Sequence, residues 1–237
     1  SKNGGFVYTL KSLYTMIDIV DTRMISNNAI DGSGGGIWIH NVSYFDGLIV
    51  NIVSSIFDNN TAGIHGGIMY IDDNNIDIRI SNSSMISNNA IKGDGGCISS
   101  RSNISMNLTS NNIIENKAGN NGGCMSFDDN IEINIIHNII KYNTAYKSGG
   151  VIYGNHLSRM PNLINSEILY NKALDGNCGA FCTSVSIITK CNIQYNVASK
   201  NGGFVYTLKS LYTMIDIVDT RMISNNAIDG SGGGIWI

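Results

Sequence analysis

The stretch Ser26-Asn27-Asn28-Ala29-Ile30-Asp31-Gly32-Ser33-Gly34-Gly35-Gly36-Ile37-Trp38-Ile39 holds the two elements from which the chain is built. One is an Asn-x-Ala corner. The other is a glycine pair that opens a short apolar strand. The corner asparagine recurs as Asn27, Asn60, Asn88, Asn116, Asn143, Asn171, Asn196 and Asn225, each followed two residues later by alanine. Three residues before each stands a large apolar side chain: Met24, Phe57, Met85, Ile113, Ile140, Ile168, Ile193 or Met222. The glycine pair ends at Gly5, Gly36, Gly67, Gly96, Gly123, Gly150, Gly203 and Gly234, and Cys178-Gly179 stands in for it once.

Within each unit of roughly 28 residues a second segment alternates strictly, as in Ile76-Asp77-Ile78-Arg79-Ile80 and Ile131-Glu132-Ile133-Asn134-Ile135. Period two with one apolar face is the pattern of a half-buried strand. No stretch holds a helical period. Three short strands and three corners per unit predict one coil of a parallel β-helix. A propeller blade would need about 40–45 residues, and a sandwich gives no reason for the fixed spacing. One coil cannot bury its own apolar face, but coils stacked about 4.8 Å apart bury all of them as columns. Asparagine tolerates left-handed backbone, so it is expected in that conformation at the corner. Its amide is expected to bond from rung to rung in a ladder of Asn27, Asn60, Asn88, Asn116, Asn143, Asn171 and Asn196. The expected fold is all-β, with little or no helix.

Residues 199–237 repeat residues 1–39 without a difference, from Ser199-Lys200-Asn201 to Ile235-Trp236-Ile237. The units between are divergent. Two periods follow: a degenerate rung, and a block of residues 1–198, about seven rungs long, that is copied intact. The chain is expected to be one continuous β-helix over residues 1–237, with residues 199–237 opening the next block. It begins inside a motif and stops inside a strand, so a longer parent polypeptide is expected.

The pairing of an apolar-x-x-Asn element with a Gly-Gly-x-apolar element resembles the repeats of the polymorphic outer-membrane protein family. Phe57-Asp58-Asn59-Asn60 with Gly66-Gly67-Ile68-Met69 is the nearest copy. The resemblance implies a right-handed parallel β-helix in a surface-exposed or secreted adhesin passenger. It carries over no catalytic residue.

A net charge of −3 and a pI near 5.7 without a basic stripe argue against nucleic acid as partner. No run approaches the roughly 18 apolar residues that a membrane-spanning helix needs. Of the cysteines, Cys97 and Cys124 fall at the same place in successive units, and Cys182 and Cys191 lie close enough to close the shortest one. Disulfides between these pairs are expected, with Cys178 left over. The histidines occupy unrelated rung positions, so no metal site and no cofactor are expected.

Three surface features are candidates for function. Asp72 and Asp128 share a rung position with Arg101 between them, each acid followed by a second at Asp73 and Asp129. Paired carboxylates on a β-helix suit polysaccharide hydrolysis or lysis, and a solvated charge ladder is the plainer reading. Calcium bridging is a weaker option. Sequons occur at Asn41, Asn59, Asn82, Asn103 and Asn107, about as many as chance gives in so Asn-rich a chain; in a eukaryotic source Asn41, Asn82, Asn103 and Asn107 are the expected glycan acceptors, Asn59 being tucked against the corner. The first strand is apolar on both faces, with Val7, Trp38, Met69, Ile98, Met125, Ile152 and Phe181 in one column and Tyr8, Ile39, Tyr70 and Tyr153 in the next. Only one column can face the core, so the other is either a stripe for lateral contact or ligand stacking or a surface over which a long loop folds. The expected function is structural: a segment of an extracellular or cell-surface filament whose partner is its own end-to-end continuation. An adhesin on such a rod is the alternative, and a polysaccharide-degrading enzyme ranks third.

Overall fold

The computed structural model describes residues 7–10, 16–40, 47–72, 76–101, 103–128, 131–154, 162–183, 185–207 and 215–236. Among them are strands, turns and bends, and no helix. The strands form four parallel sheets, one of nine strands and three of eight. Each strand pairs with its equivalents in the coils before and after. Ile76–Ser81, for example, lies between Leu48–Val53 and Ile104–Thr109, with Ile78 opposite Val50 and Met106. The chain is therefore a parallel β-solenoid.

The alternation read from the sequence sets the second sheet. Ile76, Ile78 and Ile80 are buried while Asp77 and Arg79 face out. Stacking in register makes Ile52, Ile80, Leu108, Ile135, Leu163 and Ile188 one closed column. Each such side chain contributes about 1.5–3 kcal/mol on burial. In the third sheet Phe57 sits between Met24 and Met85, and all three are buried.

Three strands per coil were expected, and there are four. The third strand ends before the corner, as at Ile56–Asp58, and a two-residue strand such as Thr61–Ala62 follows it. Nor does the corner asparagine adopt the left-handed conformation. The residue before it does: Ser26, Asn59, Ser87, Glu115, Tyr142, Tyr170, Tyr195 and Ser224 have φ between 50° and 60°. That single left-handed residue turns the chain so that the next side chain points inward. A second left-handed column, with Ser54, Asn82, Ser110 and His137 among its members, turns the chain between the second and third strands.

The two glycines of the pair answer to different constraints. The first has positive φ, as at Gly66 (63°) and Gly149 (71°), and Cys178 takes that place at 64°. The second has the next coil too close for a side chain. A Cβ on Gly123 would lie 2.1 Å from the Gly150 carbonyl oxygen.

At Gly34-Gly35-Gly36 the register differs from the expected one by a residue. Gly35 bonds to Gly66, and Gly36 stands where the next coils have Ile68 and Cys97. Ile37 therefore pairs with Val7 and Met69, and Trp38 pairs with Tyr8 and Tyr70. The inward column is Ile37, Met69, Ile98, Met125, Ile152, Phe181 and Val205, all buried. Trp38 belongs to the other face, and Ile39 is buried. Three consecutive glycines permit two frames, and this one puts Ile37 and Ile39 inside.

The repeated segment continues the solenoid. Val205 pairs with Phe181, Ile217 with Ile188, Met222 with Ile193 and Ala227 with Ala198, so all four sheets run into it. Beyond, Val205 and Tyr206 pair with Ile235 and Trp236 as Val7 and Tyr8 pair with Ile37 and Trp38.

Candidate functional site

The corner asparagines form a continuous row. The Nδ2 group of Asn27 donates to Oδ1 of Asn60 at 2.9 Å, and the same bond recurs from Asn60 to Asn88 and onward to Asn225. Each Oδ1 also accepts the backbone N–H of the preceding asparagine. The second Nδ2 hydrogen goes back to a main-chain carbonyl one coil behind, as from Asn116 to Met85 at 2.9 Å. Both donors and both lone pairs of each inner amide are thus used. Asn60, Asn88, Asn116, Asn143, Asn171 and Asn196 are wholly buried, which is tolerable only because of this.

Two further ladders escaped the sequence reading. Between the second and third strands, the backbone N–H of Thr22 donates to Ser55 Oγ, Ser55 to Ser83, Ser83 to Asn111, Asn111 to Asn138 and Asn138 to Ser166. Before the glycine pair, His65 donates through its N–H to Ser33, Asp94 to His65 Nδ1, Asn121 to Asp94, Ser148 to Asn121 and Asn177 to Ser148. Each column mixes residue types that share one property: a short side chain carrying an acceptor.

Within the latter column, burial alone would push the Asp94 carboxyl up. Hydrogen bonds from His65, the Asn121 N–H and the Asn120 amide, together with the nearby imidazole, hold it below the usual carboxylate range. His65 Nδ1 lies 3.1 Å from the Asp94 nitrogen and 3.4 Å from its Oδ2.

The charged column lies at the end of the first sheet. The Arg101 N–H donates to Ile71 and the Asp128 N–H to Ser100, which sets Asp72, Arg101 and Asp128 one after another along the axis. His40 extends the column, with its Nδ1 3.3 Å from Asp72 Oδ2. Its ring stacks on Trp38 at 5.0 Å. Asp73 and Asp129 lie outside the described residues. Asp72 and Asp128 are two rungs apart, roughly 9–10 Å, with a guanidinium-bearing residue between. The neighbouring Tyr70 phenol is pushed up to about 12, by burial first and then by Asp72, with Arg101 opposing and Asp128 adding. Among the described residues, no group of three or more His, Cys, Asp or Glu side chains is placed to hold a metal ion.

The cysteines pair differently from expectation. Cys178 is bonded to Cys182, with Cα atoms 5.0 Å apart, and Cys191 is free and buried. The bridge spans the one corner where cysteine replaces the first glycine. Cys191 instead occupies the Ser/Asn ladder between the second and third strands, where its N–H donates to Thr220 Oγ1. Cys97 and Cys124 are adjacent in one core column, but their sulfurs are 3.1 Å apart and both are thiols. Burial foremost, and then the neighbouring thiol, push Cys97 well above the usual thiol range.

Of the sequon asparagines, Asn82 and Asn103 are exposed and Asn107 is half-buried on an outer face. Asn107 Oδ1 accepts from Asn134 Nδ2, and Asn134 in turn accepts from Asn162, as an outer amide row. Asn41 lies outside the described residues.

A further outer feature was not read from the sequence. Tyr142, Tyr170 and Tyr195 stack on one another with centroids 5.2 and 4.9 Å apart and planes within 12° and 8°. They are exposed, and each immediately precedes a corner asparagine, which is the signal that could have found them.

Among the described residues no helix is long and apolar enough to cross a membrane. No family model, curated protein or solved structure matches the chain.

Proposed function

We propose that the chain is a structural segment of an extracellular or cell-surface filament, made of tandem β-solenoid blocks that continue one another along a common axis. The observation that carries this reading is the passage of all four sheets and the asparagine row into residues 199–236. Those residues are a copy of the block's own beginning, so the contact is the one that successive blocks would make. The likeness of Phe57-Asp58-Asn59-Asn60 and Gly66-Gly67-Ile68-Met69 to polymorphic outer-membrane protein repeats supports a surface setting. Seven rungs per block would advance the axis by about 34 Å.

The test uses chains of one, two and four tandem blocks, imaged as single particles. Rod length should grow by about 34 Å per block, and aligned rods should diffract at a meridional spacing near 4.8 Å. Particles whose length does not follow block number overturn the reading. An adhesin displayed on such a rod is the second reading, favoured by the exposed tyrosine stack.

A further inference from the structure

We infer that the outer face spanning the tyrosine stack is a docking surface for a second copy of this chain, laid alongside the first. The inference rests in part on the filament reading.

The face is built from three coils. On its outer side stand Tyr142, Thr144 and Tyr146, then Tyr170, Lys172 and Leu174, then Tyr195 and Val197, while Asn143, Ala145, Asn171 and Ala173 point in. The two-residue strands between the columns pair Thr144 with Lys172 and Lys172 with Val197, so the face is continuous.

The tyrosines occupy the left-handed corner, with φ of 60°, 57° and 56°. Bulky residues are rare there. Other coils put Ser26, Asn59, Ser87 and Ser224 at the same corner, the small or polar residues that it suits. Three consecutive rings at an unfavourable corner, left exposed, mark a surface held for contact rather than for folding.

Tyr142, Tyr170, Tyr195 and Tyr146 are 46%, 38%, 40% and 53% exposed, and Leu174 is 54% exposed. At about 200 Å² per aromatic side chain this is an apolar patch of roughly 400 Å². A stable pair buries about 800 Å² on each partner, so one block carries about half of what is needed. The occupant that makes up the shortfall presents its own patch again at each block, and a second rod of the same blocks does so in step. Linked patches of this kind gain about 10²–10⁴ in avidity.

Other occupants fit less well. The rings lie nearly parallel, so both faces of Tyr170 and one face each of Tyr142 and Tyr195 are turned to a neighbouring ring and the stack offers mostly edges and hydroxyls, whereas a sugar stacks on a face. The patch and its rim carry Lys141, Lys147 and Lys172 together with Glu115, Glu167 and Asp175, both signs rather than the single sign an anionic polymer calls for. Mixed signs suit a self-complementary contact.

The test compares one-block and four-block chains, each with and without Tyr142→Ser, Tyr170→Ser and Tyr195→Ser in every block. Serine is what this corner holds at positions 26, 87 and 224, so the variant should fold. Sedimentation and particle imaging should show four-block rods paired side by side and one-block chains single at equal block concentration. The serine variant should give single rods of unchanged length. Wild-type rods that stay single, pairing that survives the serine changes, or retention of a glycan in place of a second rod overturns the inference. Rod length is read from the same images, so failure of the filament reading is seen separately from failure of lateral pairing.

Discussion

Replacing Asn116 by alanine removes the centre of the buried amide row. Asn116 Oδ1 accepts the Asn88 N–H at 2.9 Å and the Asn88 amide at 3.0 Å, and its Nδ2 donates to Met85 O and Asn143 Oδ1, both at 2.9 Å. Asn143 Oδ1 keeps the backbone N–H of residue 116. Two donors on Asn88 and the Met85 carbonyl lose these bonds, in a region where Asn88 and Asn116 are wholly buried. Each orphaned group costs about 1–3 kcal/mol, and relaxation shares some of the loss, so a destabilisation of about 3–5 kcal/mol is expected. Asn27 is half-buried at its own coil, and Asn27→Ala gives up one side-chain donor to Asn60 within reach of water. Its cost should stay near 1 kcal/mol. Solenoids open locally, so the sensitive assay is amide hydrogen exchange at Asn88, with urea unfolding alongside. A loss of about 3 kcal/mol corresponds to exchange roughly 100-fold faster. If Asn116→Ala exchanges and unfolds like Asn27→Ala, the row is ornament and the reasoning fails.

Gly123→Ala places a methyl 2.1 Å from the Gly150 carbonyl, a backbone atom that cannot step aside, so soluble yield should collapse. Alanine in the outward, exposed place of Lys117 should leave yield unchanged. Tyr70→Phe should remove a phenol that ionises near pH 12 in an ultraviolet titration. Because the folded pKa is raised, Tyr70 contributes stability that is complete below about pH 10 and lost as pH rises from there through 12, and the variant should lack that part of the alkaline loss. Asp94 has the opposite sign. Its folded pKa is lowered, so its contribution is present above about pH 4 and disappears as pH falls through the folded value. Urea midpoints for Asp94→Asn should therefore depend less on pH in acid than those of the parent chain.

The coil period, the parallel stacking and the inward asparagine column could be read because each depends on one residue type at one spacing. The other two ladders could not, since Ser55, Ser83 and Asn111, or His65, Asp94 and Asn121, share a function and not an identity. The fourth strand is two residues long and carries no periodicity to detect. The frame at Gly34-Gly35-Gly36 was ambiguous because glycine has no side chain to place, and only the burial of Ile37 and Ile39 resolves it. The Cys178–Cys182 bond follows from a corner whose geometry spacing alone does not reveal, and Cys191 was drawn away by an unrelated ladder. Tyr142, Tyr170 and Tyr195 were legible as Tyr-Asn pairs, but the left-handed backbone that makes them unusual was assigned to the asparagine instead.

Every side-chain amide in the asparagine row faces the same way, with its oxygen toward the preceding coil and an N–H toward the following one. Turning one amide over would set N–H against N–H on one side and oxygen against oxygen on the other. The orientation can therefore not be reversed at a single site, and each new coil is read against the one before it. The interior thus carries an arrow. Amide dipoles aligned in a buried row add rather than cancel, so a rod of this kind has a head and a tail that differ chemically. Two rods lying side by side in opposite directions would oppose those arrows, and two lying in the same direction would add them.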